Sequence, residues 1–293
     1  TTFANDKAIW RDEMWFPQIS SMVPVGFGPK GTMLTAGVFG IDCTASGICT
    51  KPDSWDEYRD QLEAFGEAQY DLSLSVGDAE KLVGLTLTAS LEETQVPLGG
   101  RNTQNLESDS NFLSEFYVGA HLSRNIGPDT AVRVGIKNWM QYKECGVDCG
   151  FPRSAYGVIS QRIRLNPEQK KWFANAYLTA GIGNGEFRPL DEQVRASIAA
   201  QRSAGCSTYG YRANKPCSYN TLRRAVLDAA DYGRITPIGA AALEVVPGFN
   251  AIGEWSGRNL NLGFSVRPFP ELGLVFTSMW NNLIHNCDYG CKV

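Results

Sequence analysis

The chain has 293 residues, 43% hydrophobic and 20% charged, which is enough to bury a large core and too apolar for a disordered chain. Its 27 basic and 31 acidic residues leave a net charge of -4, so nothing points to nucleic acid as a partner. The longest apolar runs, such as Ile238 to Leu243, fall far short of the roughly 20 residues that a membrane-crossing helix needs, so any membrane would have to be crossed by strands.

The chain opens on Thr1 with no Met and no apolar leader, the expectation for an exported chain whose signal peptide has been removed. Residues 1–18, with Trp10, Trp15 and Phe16, read as an N-terminal segment ahead of a single β domain over 19–286, and 287–293 as a C-terminal disulfide loop. From about residue 19 the side chains alternate with period two. Val83, Leu85, Leu87, Ala89 and Leu91 take one face, and Gly84, Thr86, Thr88, Ser90 and Glu92 the other. The same split separates Val132, Val134, Ile136 and Met140 from Arg133, Gly135 and Lys137, and Leu260, Leu262, Phe264 and Val266 from Asn261, Gly263, Ser265 and Arg267.

Twelve strands are predicted, at 19–27, 32–41, 67–77, 82–94, 111–125, 131–142, 154–165, 172–184, 233–246, 249–257, 259–268 and 272–282. Most exceed the five or six residues of an ordinary strand and reach the 9 to 11 of a tilted membrane-spanning one. Short Gly, Pro and Asn turns, such as Pro29-Lys30-Gly31, Gly127-Pro128-Asp129-Thr130 and Pro247-Gly248, alternate with long connections at 42–66, 95–110, 143–153 and 185–232. That rhythm predicts an all-β, antiparallel up-and-down barrel of about twelve strands with its long loops at one rim. Twelve strands would put both termini at the long-loop rim, opposite to the usual outer-membrane arrangement, and the chain lacks the terminal aromatic of such barrels. Helical inserts are expected at 54–65, where Ser54 to Glu57 has capping-box spacing, and within 186–231, as 190–204 and 221–230. The second insert is rich in arginine and reads as a solvated cap, with a basic lid or plug as the functional alternative.

Eight cysteines fall into four close pairs, each in a polar stretch between strands: Cys43 with Cys49, Cys145 with Cys149, Cys206 with Cys217, and Cys287 with Cys291. Local pairs of this kind predict disulfides that clip surface loops, made in an oxidising compartment. The spacings contain no C-x2-C knuckle and the only imidazoles are His121 and His285, so no metal and no cofactor are expected.

Gly26-Phe27-Gly28-Pro29-Lys30-Gly31 matches G-x-G-x-x-G, but strand-like sequence follows it where a dinucleotide site needs a helix, so a Gly/Pro hairpin turn is the reading. His121 shares a face with Glu115, Tyr117 and Ser123, which reads as a hydrogen-bonded inward residue rather than a catalytic base. No G-x-S-x-G or H-E-x-x-H occurs, and no catalytic residue is assigned. The predicted interior is lined by Glu92, Glu115, His121, Arg133, Lys137, Glu254 and Arg267, whose charges filter solutes or pair across a narrow bore, the paired and filled interior being preferred. Outward aromatics, among them Tyr70, Phe112, Phe116, Phe264, Phe276 and Trp280, fit a lipid interface or a protein contact surface.

The stretch Glu254-Trp255-Ser256-Gly257-Arg258-Asn259-Leu260-Asn261-Leu262-Gly263-Phe264-Ser265-Val266-Arg267-Pro268, followed by Leu272-Gly273-Leu274, resembles the terminal hairpin of bacterial outer-membrane β-barrel proteins, in particular barrels associated with exopolysaccharide export. The resemblance implies an envelope barrel serving transport or surface architecture, and it carries over no site residue. The expected function is thus a non-enzymatic outer-membrane barrel, a narrow channel or export-associated protein, with membrane lipid or copies of itself as partner. The alternatives are a self-assembling structural barrel at the cell surface or outside the cell, forming a homo-oligomer, and a soluble secreted ligand-binding barrel.

Overall fold

In the computed structural model, residues 19–41, 66–96, 115–143, 152–166, 172–189, 231–269 and 274–285 are described. They form one sheet of eleven antiparallel strands in simple up-and-down order: β1 (Met33–Ile41), β2 (Gly66–Gly77), β3 (Gly84–Val96), β4 (Glu115–Asn125), β5 (Thr130–Lys143), β6 (Ser154–Arg164), β7 (Asn175–Gly183), β8 (Thr236–Val246), β9 (Phe249–Trp255), β10 (Asn259–Val266) and β11 (Phe276–His285). A 3-10 turn, Gly185–Phe187, follows β7. The expected helical segments 54–65, 190–204 and 221–230 lie outside the described residues. So do all four expected disulfides, Cys43 to Cys49, Cys145 to Cys149, Cys206 to Cys217 and Cys287 to Cys291, and the loop clips therefore stand as expectations from the sequence alone.

The strands form where period two predicts them, because alternation lets each strand bury one face while its backbone pairs on both sides. Connections after β2, β4, β6, β8 and β10 span two to ten residues and define one rim. The opposite rim carries the long connections and one tight turn, Ser256–Arg258, between β9 and β10. One register irregularity has a clear local cause: Asn138 adopts φ 57, and its neighbours Trp139 and Met140 are both exposed, so β5 bulges opposite Gly119.

Residues 19–27 are the chief departure from expectation, because they are not a strand. They run along the inner, polar face of the sheet, and the structure therefore has eleven strands with β1 starting at the short-turn rim. Pro24 and Pro29 lack the N–H that a ladder requires, while side-chain acceptors on the inner face take up several of the segment's free amides. Met22 lies beside Asn261 on β10, Gly28 bonds Asn125 at the end of β4, and Lys30 bridges Asp78 just beyond β2. Across a flat sheet, β10 to β2 would span about 38 Å, whereas eight extended residues reach only about 28 Å, so the sheet curves around the segment.

Two apolar clusters line this inner face. Ile19 and Phe27 pack with Ala131, Tyr177, Ala242 and Ile252, and Met279 of β11 leans on the same group. Val23 packs with Tyr156, Val158, Phe187, Ile238 and Ala240 nearer the long-loop rim. Burying Ile19, Val23 and Phe27 contributes about 1.5–3 kcal/mol each as an upper estimate, and this holds the segment down.

Candidate functional site

The inner face is polar between these clusters. Ser75, Thr86, His121, Ser123, Ser160, Thr179, Asn250, Glu254, Asn261 and Ser265 are buried there, and many bond one another across strands, as in the Ser75–Thr86 and Ser160–Thr179 hydroxyl pairs at 2.9 and 2.7 Å. Buried polar groups are tolerated when they are paired, and here neighbouring strands supply the partners.

The segment 19–29 is gripped at three levels. At its turn, the Glu254 carboxylate on β9 accepts from the Ser20 hydroxyl at 2.5 Å, from the Ser21 N–H at 2.9 Å and from the Met22 N–H at 3.2 Å. Asn261 on β10 donates to the same carboxylate at 3.0 Å, and the Val23 N–H closes the turn on the Ser20 Oγ. Midway, the Gly26 N–H donates to Ser160 Oγ at 2.8 Å. At the far end, Arg133 Nη2 donates to the Phe27 carbonyl at 2.7 Å and the Gly28 N–H donates to Asn125 Oδ1 at 3.1 Å.

Gly26 and Gly28 make this approach possible. A Cβ on Gly26 would come within 2.5 Å of the Ala131 carbonyl oxygen, and one on Gly28 within 2.5 Å of Ser123 Cβ and 2.7 Å of Ala79 Cβ. The glycine-rich motif is therefore not a hairpin turn between two strands. Its first two glycines let backbone lie against the sheet, and Gly31, at φ 93, turns the chain into β1.

The predicted interior residues meet different fates. His121 sits on the inner face with Nδ1 2.7 Å from the Tyr156 hydroxyl and Nε2 3.2 Å from Thr88 Oγ1. Arg133 donates from Nε to Ser123 Oγ at 2.8 Å in addition to its bond to Phe27. Lys137 forms an ion pair with Glu186 and lies 5.7 Å from the centroid of the Phe187 ring. Glu254 is buried beneath the segment's turn. Arg267 lies just past β10 at the short-turn rim, its N–H donating to the Gly248 carbonyl at 2.7 Å. Glu92 and Glu115 are direct register partners on β3 and β4.

Arg133 and Glu254, both expected on the inner face, hold the segment 19–29. The segment thus covers part of the inner face of the sheet. Sequence reading missed Tyr156, Phe187, Ser160 and Asn125 as partners, although Pro24, Pro29 and the close glycines were a usable sign that 19–29 is not a strand.

Charged groups at the turns are tied locally. Asp129, in the β4–β5 turn, accepts from Arg162 Nε at 2.7 Å and Arg164 Nε at 3.0 Å. Desolvation pushes its carboxyl up, but the two arginine hydrogen bonds outweigh that and hold it below its ordinary value. Asp78 is lowered chiefly by the Lys81 backbone N–H, with burial opposing and the Glu80 N–H and the Lys81 ammonium assisting.

No family model, curated protein or solved structure matches this chain.

Proposed function

We propose that this chain is a non-enzymatic β-barrel of the outer-membrane type, its sheet closed on itself, its outer face against lipid and its bore occupied by the segment 19–29. In this reading it is a narrow channel or export-associated protein of the bacterial envelope. The observation that supports it is an inverted burial pattern. Leu72, Leu74, Leu122, Val134, Ile159, Leu178, Ile182, Leu262 and Trp280 stand exposed along the outer face, while Ser, Thr, Asn, His and Glu side chains fill the inner one. A water-soluble sheet enclosing a core turns its large apolar residues inward, whereas a strand that faces lipid alternates apolar-out and polar-in.

Strand length and aromatic placement agree with this reading. All strands except β9 and β10 are nine residues or longer. Exposed aromatics gather toward both rims, with Trp172, Phe173, Phe269 and Phe276 at the short-turn side and Trp139 and Trp255 toward the other. Two such belts suit the two interfaces of a bilayer.

A second reading draws on the strand count. With eleven strands, β1 and β11 run in the same direction, so closure needs a parallel seam or another strand, whereas bacterial single-chain barrels have even numbers. In this alternative, copies of the chain cover the sheet edges and the apolar face, giving a self-assembling surface protein.

One experiment separates the two: purification with and without mild detergent, sized by light scattering. Monodispersity only in detergent, with incorporation into lipid vesicles, is expected. Large soluble particles in plain buffer would select the assembly, and a small monodisperse species in plain buffer would overturn both readings.

A further inference from the structure

We propose that the long-loop rim contains a binding site for a phosphate, sulfate or carboxylate group, centred on Arg258. The proposal goes beyond the barrel reading and stands whether lipid or protein covers the outer face.

Arg258 closes the tight turn between β9 and β10. Ser256 Oγ accepts from the Arg258 N–H at 3.4 Å and from the Asn259 N–H at 3.2 Å, which fixes the turn. Gly257 has φ 87, and a Cβ there would collide with the Phe187 carbonyl oxygen, so the turn rests directly on the 3-10 turn Gly185–Phe187. Arg258 thereby lies within electrostatic reach of Glu186, the carboxylate that pairs with Lys137.

Among the described residues, the charges at this place do not balance. Glu186 is already engaged by Lys137, and the buried Arg258 Nε has no hydrogen-bond acceptor among the described residues. Burial pushes the Arg258 guanidinium below its ordinary value, with Glu186 opposing that shift. Among the described residues, Lys137 and Arg258 thus face a single carboxylate, Glu186, in a partly desolvated corner, where an unpaired charge is costly. A planar guanidinium fork matches two oxygens of an oxyanion, and the neighbouring ammonium adds a point charge. What fills the deficit is therefore an anion with at least two acceptor oxygens, either free or as the end group of a larger molecule.

The test is titration calorimetry on the full-length protein in detergent, at low ionic strength because salt screens such contacts. The titrants are inorganic phosphate in one arm and glucose 6-phosphate in the other. Wild type is expected to bind phosphate at one site per chain. Arg258→Gln should weaken binding at least ten-fold. Glu186→Gln should tighten it several-fold, because it frees Lys137 and removes the competing carboxylate. Lys81→Gln, which removes an exposed cation at the opposite rim, should leave it unchanged. Binding of both titrants would mean that the site takes the end group of a larger ligand, and binding of phosphate alone that it closes around the free ion. No heat from either titrant with wild type, or equal affinity in Arg258→Gln, overturns the proposal. If Arg258→Gln does not fold, Glu186→Gln decides alone, and unchanged or weaker binding there refutes it.

Discussion

Replacing Glu254 by Ala removes the acceptor at the turn of the segment 19–29, and the structure indicates how far the effect should travel. Four donors lose their carboxylate: the Ser20 hydroxyl, the Ser21 and Met22 amides and Asn261 Nδ2. Ser21 and Met22 are exposed, so water can replace the acceptor there. Ser20 and Asn261 are 1% and 0% exposed, so water does not readily replace the carboxylate there, and losing two buried hydrogen bonds to a charged acceptor costs about 2–4 kcal/mol for the pair. Apolar burial of Ile19, Val23 and Phe27 remains, so the segment should stay docked most of the time but open more often. Hydrogen exchange of the Gly26 and Gly28 amides reads this remotely, since their acceptors, Ser160 and Asn125, are untouched by the substitution. If the segment docks as one unit, their exchange should accelerate roughly 30- to 700-fold, the same free energy expressed as an opening ratio. Acceleration confined to Ser21 and Met22, with Gly26 and Gly28 at wild-type rates, would refute docking as a single unit.

Gly28→Ala places a methyl against Ser123 and Ala79 and should destabilise docking by about 1–3 kcal/mol, raising exchange across 19–29 and, in planar bilayers, the conductance. Val134→Arg on the outer face should cost about 2–4 kcal/mol of folding stability in lipid vesicles if that face meets the bilayer near its midplane, measurable by denaturant titration; no cost would count against lipid contact. The Asp129 carboxyl lies below its ordinary value, so its contribution is fully present above the unfolded value and lost as pH falls through the folded one. Acidification below the ordinary carboxylate range should therefore loosen the β4–β5 turn from β6, followed by exchange of the Arg162 amide, which donates to the Asp129 carbonyl. Asp129→Asn should remove that pH dependence.

The alternation in Val83 to Leu91, Val132 to Met140 and Leu260 to Val266 was sufficient to locate strands and assign their faces, because a strand's period of two is a local property set by its own backbone. β2, β6 and β8 to β10 lie within a few residues of their predicted bounds for that reason. Alternation also assigned His121, Arg133, Lys137 and Glu254 to one face, since one residue's face follows from its neighbours'. Which groups those side chains meet was not readable. Glu254 holds Ser20 across more than two hundred residues of sequence, and Arg133 reaches Phe27 across more than one hundred. The same distance explains the misread segment 19–27. Its Val23, Val25 and Phe27 alternate as a strand would, but whether such a run joins the ladder or lies on its inner face depends on the acceptors offered by Glu254, Ser160 and Asn125 and on the room that Gly26 and Gly28 leave. Only the folded sheet brings those groups together, so strand and face were determined by local sequence, and what lies against the inner face by tertiary structure.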